Sequence, residues 1–183
     1  MSAEYVTHVA GGTAEEILVR RAESLALESA EEEVSDRVST LLFRIGEEWY
    51  AVRLSDVREI FQDYDVTAVP CTPQFILGVT NVRGEILSVT DPARLMGLGT
   101  ITGPEGQRPP AVVVSSGGVS TALITDEIGD IVEVASTSIE PPIAIIDRAQ
   151  AEFVTGTICV AGTMVGLINV ARVLEPIGSS GRH

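Results

Sequence analysis

Residues 75–91 read FILGVTNVRGEILSVTD, two apolar runs joined at Arg83-Gly84. Each run has the length and composition of a strand, and Gly84 supplies positive φ at a turn without strain. The stretch is therefore a hairpin with Arg83 at its tip. Directly behind it, Asp91 is a candidate helix N-cap and Pro92 a favourable first-turn residue, so a short helix completed by residues 93–98 is expected.

The same two-residue period extends outward from this hairpin. Upstream, Leu41, Phe43 and Ile45 alternate with Leu42, Arg44 and Gly46. Gly46-Glu47-Glu48 reads as a tight turn, and Trp49, Ala51 and Arg53 then alternate with Tyr50, Val52 and Leu54. Residues 58–61 and 66–69 are further short strand candidates, and Pro70 and Pro73 exclude a helix around Cys71. Downstream, residues 111–114, 119–125 and 131–134 read as strands, separated by Gly117-Gly118 and by residues 127–130. Residues 100–110 form a Pro/Gly-rich loop, and Pro141-Pro142 breaks the chain again. Residues 153–160 and 163–168 make a last hairpin around Ala161-Gly162, and residues 170–174 read as a closing helical turn. Many short strands punctuated by Gly and Pro indicate an all-β barrel or sandwich. Within 183 residues, two small barrels are more natural than one large one.

Residues 1–38 differ in character, with three arginines against nine acidic residues. Thr13-Ala14-Glu15-Glu16 fits a capping box. Ile17, Leu18, Ala22, Leu25 and Ala26 follow at helical spacing, which predicts a helix over about residues 14–30 and then an acidic linker. Such a helix either packs on its own domain, trails as a mobile tail, or docks a partner through its apolar stripe. The expected organisation is an acidic helical extension over 1–38, a main domain over 39–178 and a disordered tail over 179–183.

Composition limits the function. A net charge of −14 argues against nucleic acid and against an anionic membrane surface, both of which need clustered basic groups. All 12 basic residues are arginine. The N-terminus lacks the charged and apolar regions of a secretory signal, and no apolar stretch approaches the ~20 residues of a spanning helix. The two cysteines, Cys71 and Cys159, suggest a reduced chain rather than a disulfide framework.

Candidate chemistry is sparse. His8 and His183 lie at opposite ends, which disfavours a histidine-based triad, and no metal-ligand spacing occurs. Glu85 and Asp91 could be imagined as paired acids, but a solvated strand acid and a helix cap explain them better. Cys71 has no basic neighbour to activate it. A body of strands with few catalytic groups and an arginine at a turn suits a binding module.

Residues 75–98, FILGVTNVRGEILSVTDPARLMGL, resemble the central signature of the CheW family of chemotaxis coupling proteins, with Gly78, Asn81, Arg83, Gly84 and Asp91 on the motif. Val57-Arg58-Glu59-Ile60 resembles that family's V-x-E-I segment, and residues 119–134 and 153–174 resemble its later strands and closing helix. Pro92, where an apolar residue is usual, and Asn169, where Asp is common, depart from the pattern. The resemblance implies an all-β fold of two packed five-stranded SH3-like barrels with a short C-terminal helix, to which the residues themselves add the N-terminal helical extension. It implies no enzyme activity, and with the sparse ligand residues no cofactor and no metal are expected. It implies a cytoplasmic adaptor that bridges the tip of chemoreceptors and the regulatory domain of the histidine kinase CheA. Val57, Glu59, Gly78 and Arg83 fall on receptor-contact positions, while Asn81, Gly84 and Asp91 fall on the turn and its structural surroundings. From the residues alone, Arg83 could equally brace its own hairpin. The alternatives are a CheW-like scaffold in another array, such as twitching motility, and a small β-barrel ligand-binding module or enzyme.

Overall fold

The computed structural model describes residues 36–103, 106–142 and 148–179; the helix expected over residues 14–30 lies outside them. In chain order, β1 (Arg37–Ile45) and β2 (Glu48–Arg53) form a hairpin, and a 3-10 turn at Leu54–Asp56 leads into β3 (Val57–Phe61). β4 (Ile76–Val82) and β5 (Glu85–Thr90) follow, then α1 (Pro92–Leu95), β6 (Ala111–Ser116), β7 (Val119–Ile124) and β8 (Glu127–Ala135). The described residues end with α2 (Arg148–Ala151), β9 (Val154–Val160), β10 (Thr163–Ile168) and α3 (Val170–Ser179).

The strands form two five-stranded sheets, ordered β8-β1-β2-β10-β9 and β3-β6-β7-β5-β4. The first takes strands from both ends of the described chain and the second takes the middle. Each sheet closes on itself at an isolated bridge. Thr67 and Val79 exchange backbone hydrogen bonds of 2.8 and 2.9 Å in one, and Glu140 and Thr157 exchange 2.9 and 2.8 Å bonds in the other. This is the two-barrel architecture expected above.

β1 carries apolar residues on both faces because it lies between two cores. Leu41, Phe43 and Ile45 join a large cluster with Val112, Val114 and Leu123 of the second barrel. Val170, Val173 and Leu174 of α3 enter the same cluster, and α3 packs on β6 and β7. Leu42 faces a smaller cluster formed by Ala51, Ile158, Val165 and Leu167. The aliphatic composition suffices because most of the apolar area is buried where the elements meet.

The two barrels repeat one device. Residues 75–91 and 153–169 have the same layout: Phe75 and Phe153 start it, Gly78 and Gly156 sit three residues on, and Gly84 and Gly162 close the turns. At the end, the Asp91 and Asn169 amides donate 2.8 Å hydrogen bonds to the Phe75 and Phe153 carbonyls. Both residues then cap helices. Asp91 Oδ1 accepts from the Ala93 and Arg94 amides, and Asn169 Oδ1 accepts from the Arg172 amide. Pro92, at the first position of α1, needs no hydrogen bond there. The two departures from the family pattern therefore fit the local geometry.

Three sequence expectations need correction. Residues 66–69 are not a strand; only Thr67 pairs before Pro70, which has no amide hydrogen to extend a ladder. Residues 127–130 are not a connection but the start of β8, drawn beside β1 and tied by an Arg44–Glu127 ion pair of 3.0 Å. The closing helical turn runs on through Ser179, past its internal Pro176. Among the described residues, no helix is long and apolar enough to cross a membrane.

Candidate functional site: the tip of the central hairpin

Val82 pairs with Glu85, so only Arg83 and Gly84 form the β4–β5 turn. Both have left-handed backbone, with φ of 50° and 89°. Two-residue hairpins with this conformation match the twist of their strands. Glycine adopts it freely, whereas an arginine there costs about 1 kcal/mol. The side chain of Asn81 relieves part of the turn by accepting a 2.8 Å bond from the Gly84 amide.

Arg83 does not brace its own hairpin. Its Nε donates to Glu59 Oε2 on β3 at 2.9 Å. Its side chain remains 84% exposed, and its two terminal nitrogens have no partner among the described residues. β3 and the β4–β5 hairpin are not neighbours in the sheet order, so at this mouth of the barrel side chains alone span the gap.

A second ion pair lies beside the first. The terminal nitrogens of Arg58 fork onto both oxygens of Glu85 at 3.0 and 2.7 Å, and Nη1 also reaches Ser120 Oγ at 3.2 Å. Neighbours on a regular strand face opposite ways, but the pairing register shifts between Val57 and Glu59, and both Arg58 and Glu59 reach the tip. The hydrogen bonds from Arg58 hold the Glu85 carboxyl below the usual carboxylate range. The pair therefore persists on acidification after a free glutamate would have taken up a proton. The two ion pairs differ in kind: Arg58–Glu85 is saturated, while Glu59–Arg83 is made through one nitrogen and is open.

Val57, Glu59 and Arg83 thus belong to one region, flanked along the chain by exposed Ile60 (44%) and Ile86 (63%). Val57 is half-buried against the larger core. Gly78 is buried five residues back along β4, about 16 Å from the tip at strand spacing. Its φ is 149°, and a Cβ there would strike the Thr67 carbonyl and come within 2.9 Å of Val66 Cγ1. Gly78 shapes the barrel where the chain crosses Thr67 and presents no side chain of its own.

Asp91 is fully buried, and besides capping α1 it accepts from the Ile101 amide at 3.3 Å and pairs with Arg94 Nε at 3.2 Å. Burial pushes its pKa up, against the pull of those hydrogen bonds and of Arg94. The folded chain then binds this proton more tightly than the unfolded chain, so this group's contribution to stability increases as pH falls through the carboxylate range. Asp91→Asn removes that titration and leaves the Ile101 amide without its acceptor, at a cost of about 1–3 kcal/mol. Urea unfolding at pH 7 and pH 4.5 should show the deficit of the variant widening at the lower pH. A deficit that narrows would contradict the assignment.

Little else at the site offers chemistry. Glu85 and Asp91 are not an acid–base pair: one is held by Arg58 and the other caps a helix. Among the described residues, no three His, Cys, Asp or Glu come together to hold a metal. The described cavities, of about 410 and 400 Å³, lie on the first barrel around Trp49, Thr163 and Val165, away from this tip. Arg58 and Ser120 were not legible as site residues. The only available signal was the opposed charge of Arg58 and Glu85, which are 27 residues apart. The equivalent turn of the first barrel, Ala161-Gly162, has the same left-handed pair with φ of 49° and 83°, but no ion pair there among the described residues. Arg83 is therefore an addition to a shared fold device.

Comparison with known proteins agrees with this fold. The family model described as the CheW-like domain matches residues 39–177. A chemotaxis protein CheW of Rhizobium meliloti is 27% identical over 73% of this chain and 84% of its own length. Protein FrzA of Myxococcus xanthus is 30% identical over 73% of this chain and 82% of its own. The crystal structure of the scaffolding protein TtCheW from Thermoanaerobacter tengcongensis superposes with a TM-score of 0.64 at 30% identity, covering 72% of this chain and 88% of that one.

Proposed function

The chain belongs to the CheW-like family, and from that premise we propose that it is a non-enzymatic cytoplasmic adaptor. It couples the cytoplasmic tips of chemoreceptors to the regulatory domain of the histidine kinase CheA. The observation that carries this reading is the open Glu59–Arg83 pair at the mouth of the second barrel. Arg83 is held in a costly backbone conformation with its terminal nitrogens unpartnered among the described residues, the arrangement expected of a side chain kept available to a partner. Exposed Ile60 and Ile86 supply apolar anchors, and the opposed charges fix the direction of an approaching receptor helix. A guanidinium can fork onto exposed carbonyls or a carboxylate, which a lysine cannot do. Val57 and Gly78 contribute through the shape of the barrel wall.

Titration calorimetry against a receptor-tip hairpin and against the CheA regulatory domain tests this. Both should bind, and Arg83→Ala should weaken only the receptor, by about tenfold. Equal receptor binding by the folded variant would remove Arg83 from the interface. Failure of both partners to bind the native chain would overturn the adaptor reading.

A further inference from the structure

Arg58 and Glu85 are usually the kind of exposed pair that contributes little to stability. The other barrel supports that view, because its equivalent turn keeps the same backbone without an ion pair among the described residues. The fold does not need the pair. Glu85 nevertheless lies two residues from Arg83, at the start of β5, which makes it the nearest acidic residue along the chain. Left to itself, its carboxylate would compete with Glu59 for the Arg83 guanidinium and occupy the terminal nitrogens that Arg83 now leaves open.

Arg58 prevents this by geometry. Its two terminal nitrogens take both oxygens of Glu85, and Ser120 anchors one of those nitrogens from the start of β7. We propose that Arg58 is a positioning residue for the partner-binding surface: it sequesters Glu85 and so keeps Arg83 paired to Glu59 with its outer face free. The inference rests on the adaptor reading for its partner, but its first half concerns the free protein alone. The charges around the tip, two positive and two negative, balance only while Arg58 is present. Removing it leaves one uncompensated acid beside the reader arginine, which would also disfavour an acidic partner group.

The test uses Arg58→Ala, Glu85→Ala and the double variant in the full chain. In the free protein, the NMR signal of the Arg83 Nε–Hε group should shift in Arg58→Ala and return to its native position in the double variant. Affinity for a receptor-tip hairpin should follow, falling about fivefold in Arg58→Ala, the most that one exposed competing carboxylate can exert. It should recover to within about twofold in the double variant. Glu85→Ala alone should bind as the native chain does. Melting temperatures should stay together, since a merely structural role would lower both Arg58 variants alike. A double variant that binds as weakly as Arg58→Ala would overturn the proposal and make Arg58 a direct contact. An unshifted Arg83 signal in Arg58→Ala would overturn it from the free protein alone. A native chain that fails to bind the receptor tip would sink the adaptor reading, while the Arg83 signal would still decide whether Arg58 sequesters Glu85.

Discussion

Gly78→Ala is expected to destabilise the protein by about 4 kcal/mol, from strain of about 1–3 kcal/mol in the backbone and a similar cost of overpacking. The new methyl would lie against the Thr67 carbonyl, with the Thr67 carbonyl carbon 2.8 Å and Val66 Cγ1 2.9 Å away. Neither can retreat freely. Thr67 is bound to Val79 by two backbone hydrogen bonds, and those bonds close the second barrel. A domain of this size has about 5–15 kcal/mol in total, so the urea midpoint should fall by a large fraction. Gly84→Ala provides the control. Its φ of 89° is also positive, but its Cβ would meet nothing within 4 Å, so only the backbone cost of about 1 kcal/mol remains. Gly156→Ala should lie between them. Its Cβ would come 2.7 Å from the Glu140 carbonyl without a left-handed backbone. A Gly78 variant no less stable than the Gly84 variant would show that the Thr67 crossing yields easily.

Arg83→Gly is expected to separate stability from function. It relieves a left-handed arginine and loses one exposed ion pair, so stability should stay level or increase by up to about 1 kcal/mol. Receptor-tip binding should fall by tenfold or more, because a charged donor left unsaturated among the described residues disappears from the tip. Kinase-domain binding should not change. Thermal unfolding and calorimetry on the same preparation give both values. A variant that is clearly destabilised would mean that the Glu59–Arg83 pair fastens the barrel, and that its exposure is incidental.

The central hairpin was legible because its turn chemistry is local. Gly84 needs positive φ, the apolar runs alternate, and Asp91-Pro92 marks a helix start, all within a few residues. The two barrels followed from strand lengths and punctuation. What pairs across a barrel mouth was not legible from pattern, since Glu59 and Arg83 are 24 residues apart and no period connects them; only the family resemblance marked both. The start of β8 was misread because Glu127, Gly129 and Asp130 have the composition of a turn, and their strand geometry is imposed by β1. Residues 66–69 erred in the opposite direction, having strand composition but a single bridge. The likeness of residues 75–91 and 153–169 emerges only when Gly78 and Gly156 are seen crossing equivalent chains, because most other positions differ in chemistry.

The central claim is that one chain holds receptor and kinase at once. Mixing it with a receptor-tip hairpin and the CheA regulatory domain, and weighing the complexes by size-exclusion chromatography with light scattering, tests that directly. A single species with the mass of all three components is predicted, reduced to the kinase-domain complex by Arg83→Gly. Two binary complexes that exclude one another, with no ternary species at any ratio, would contradict it.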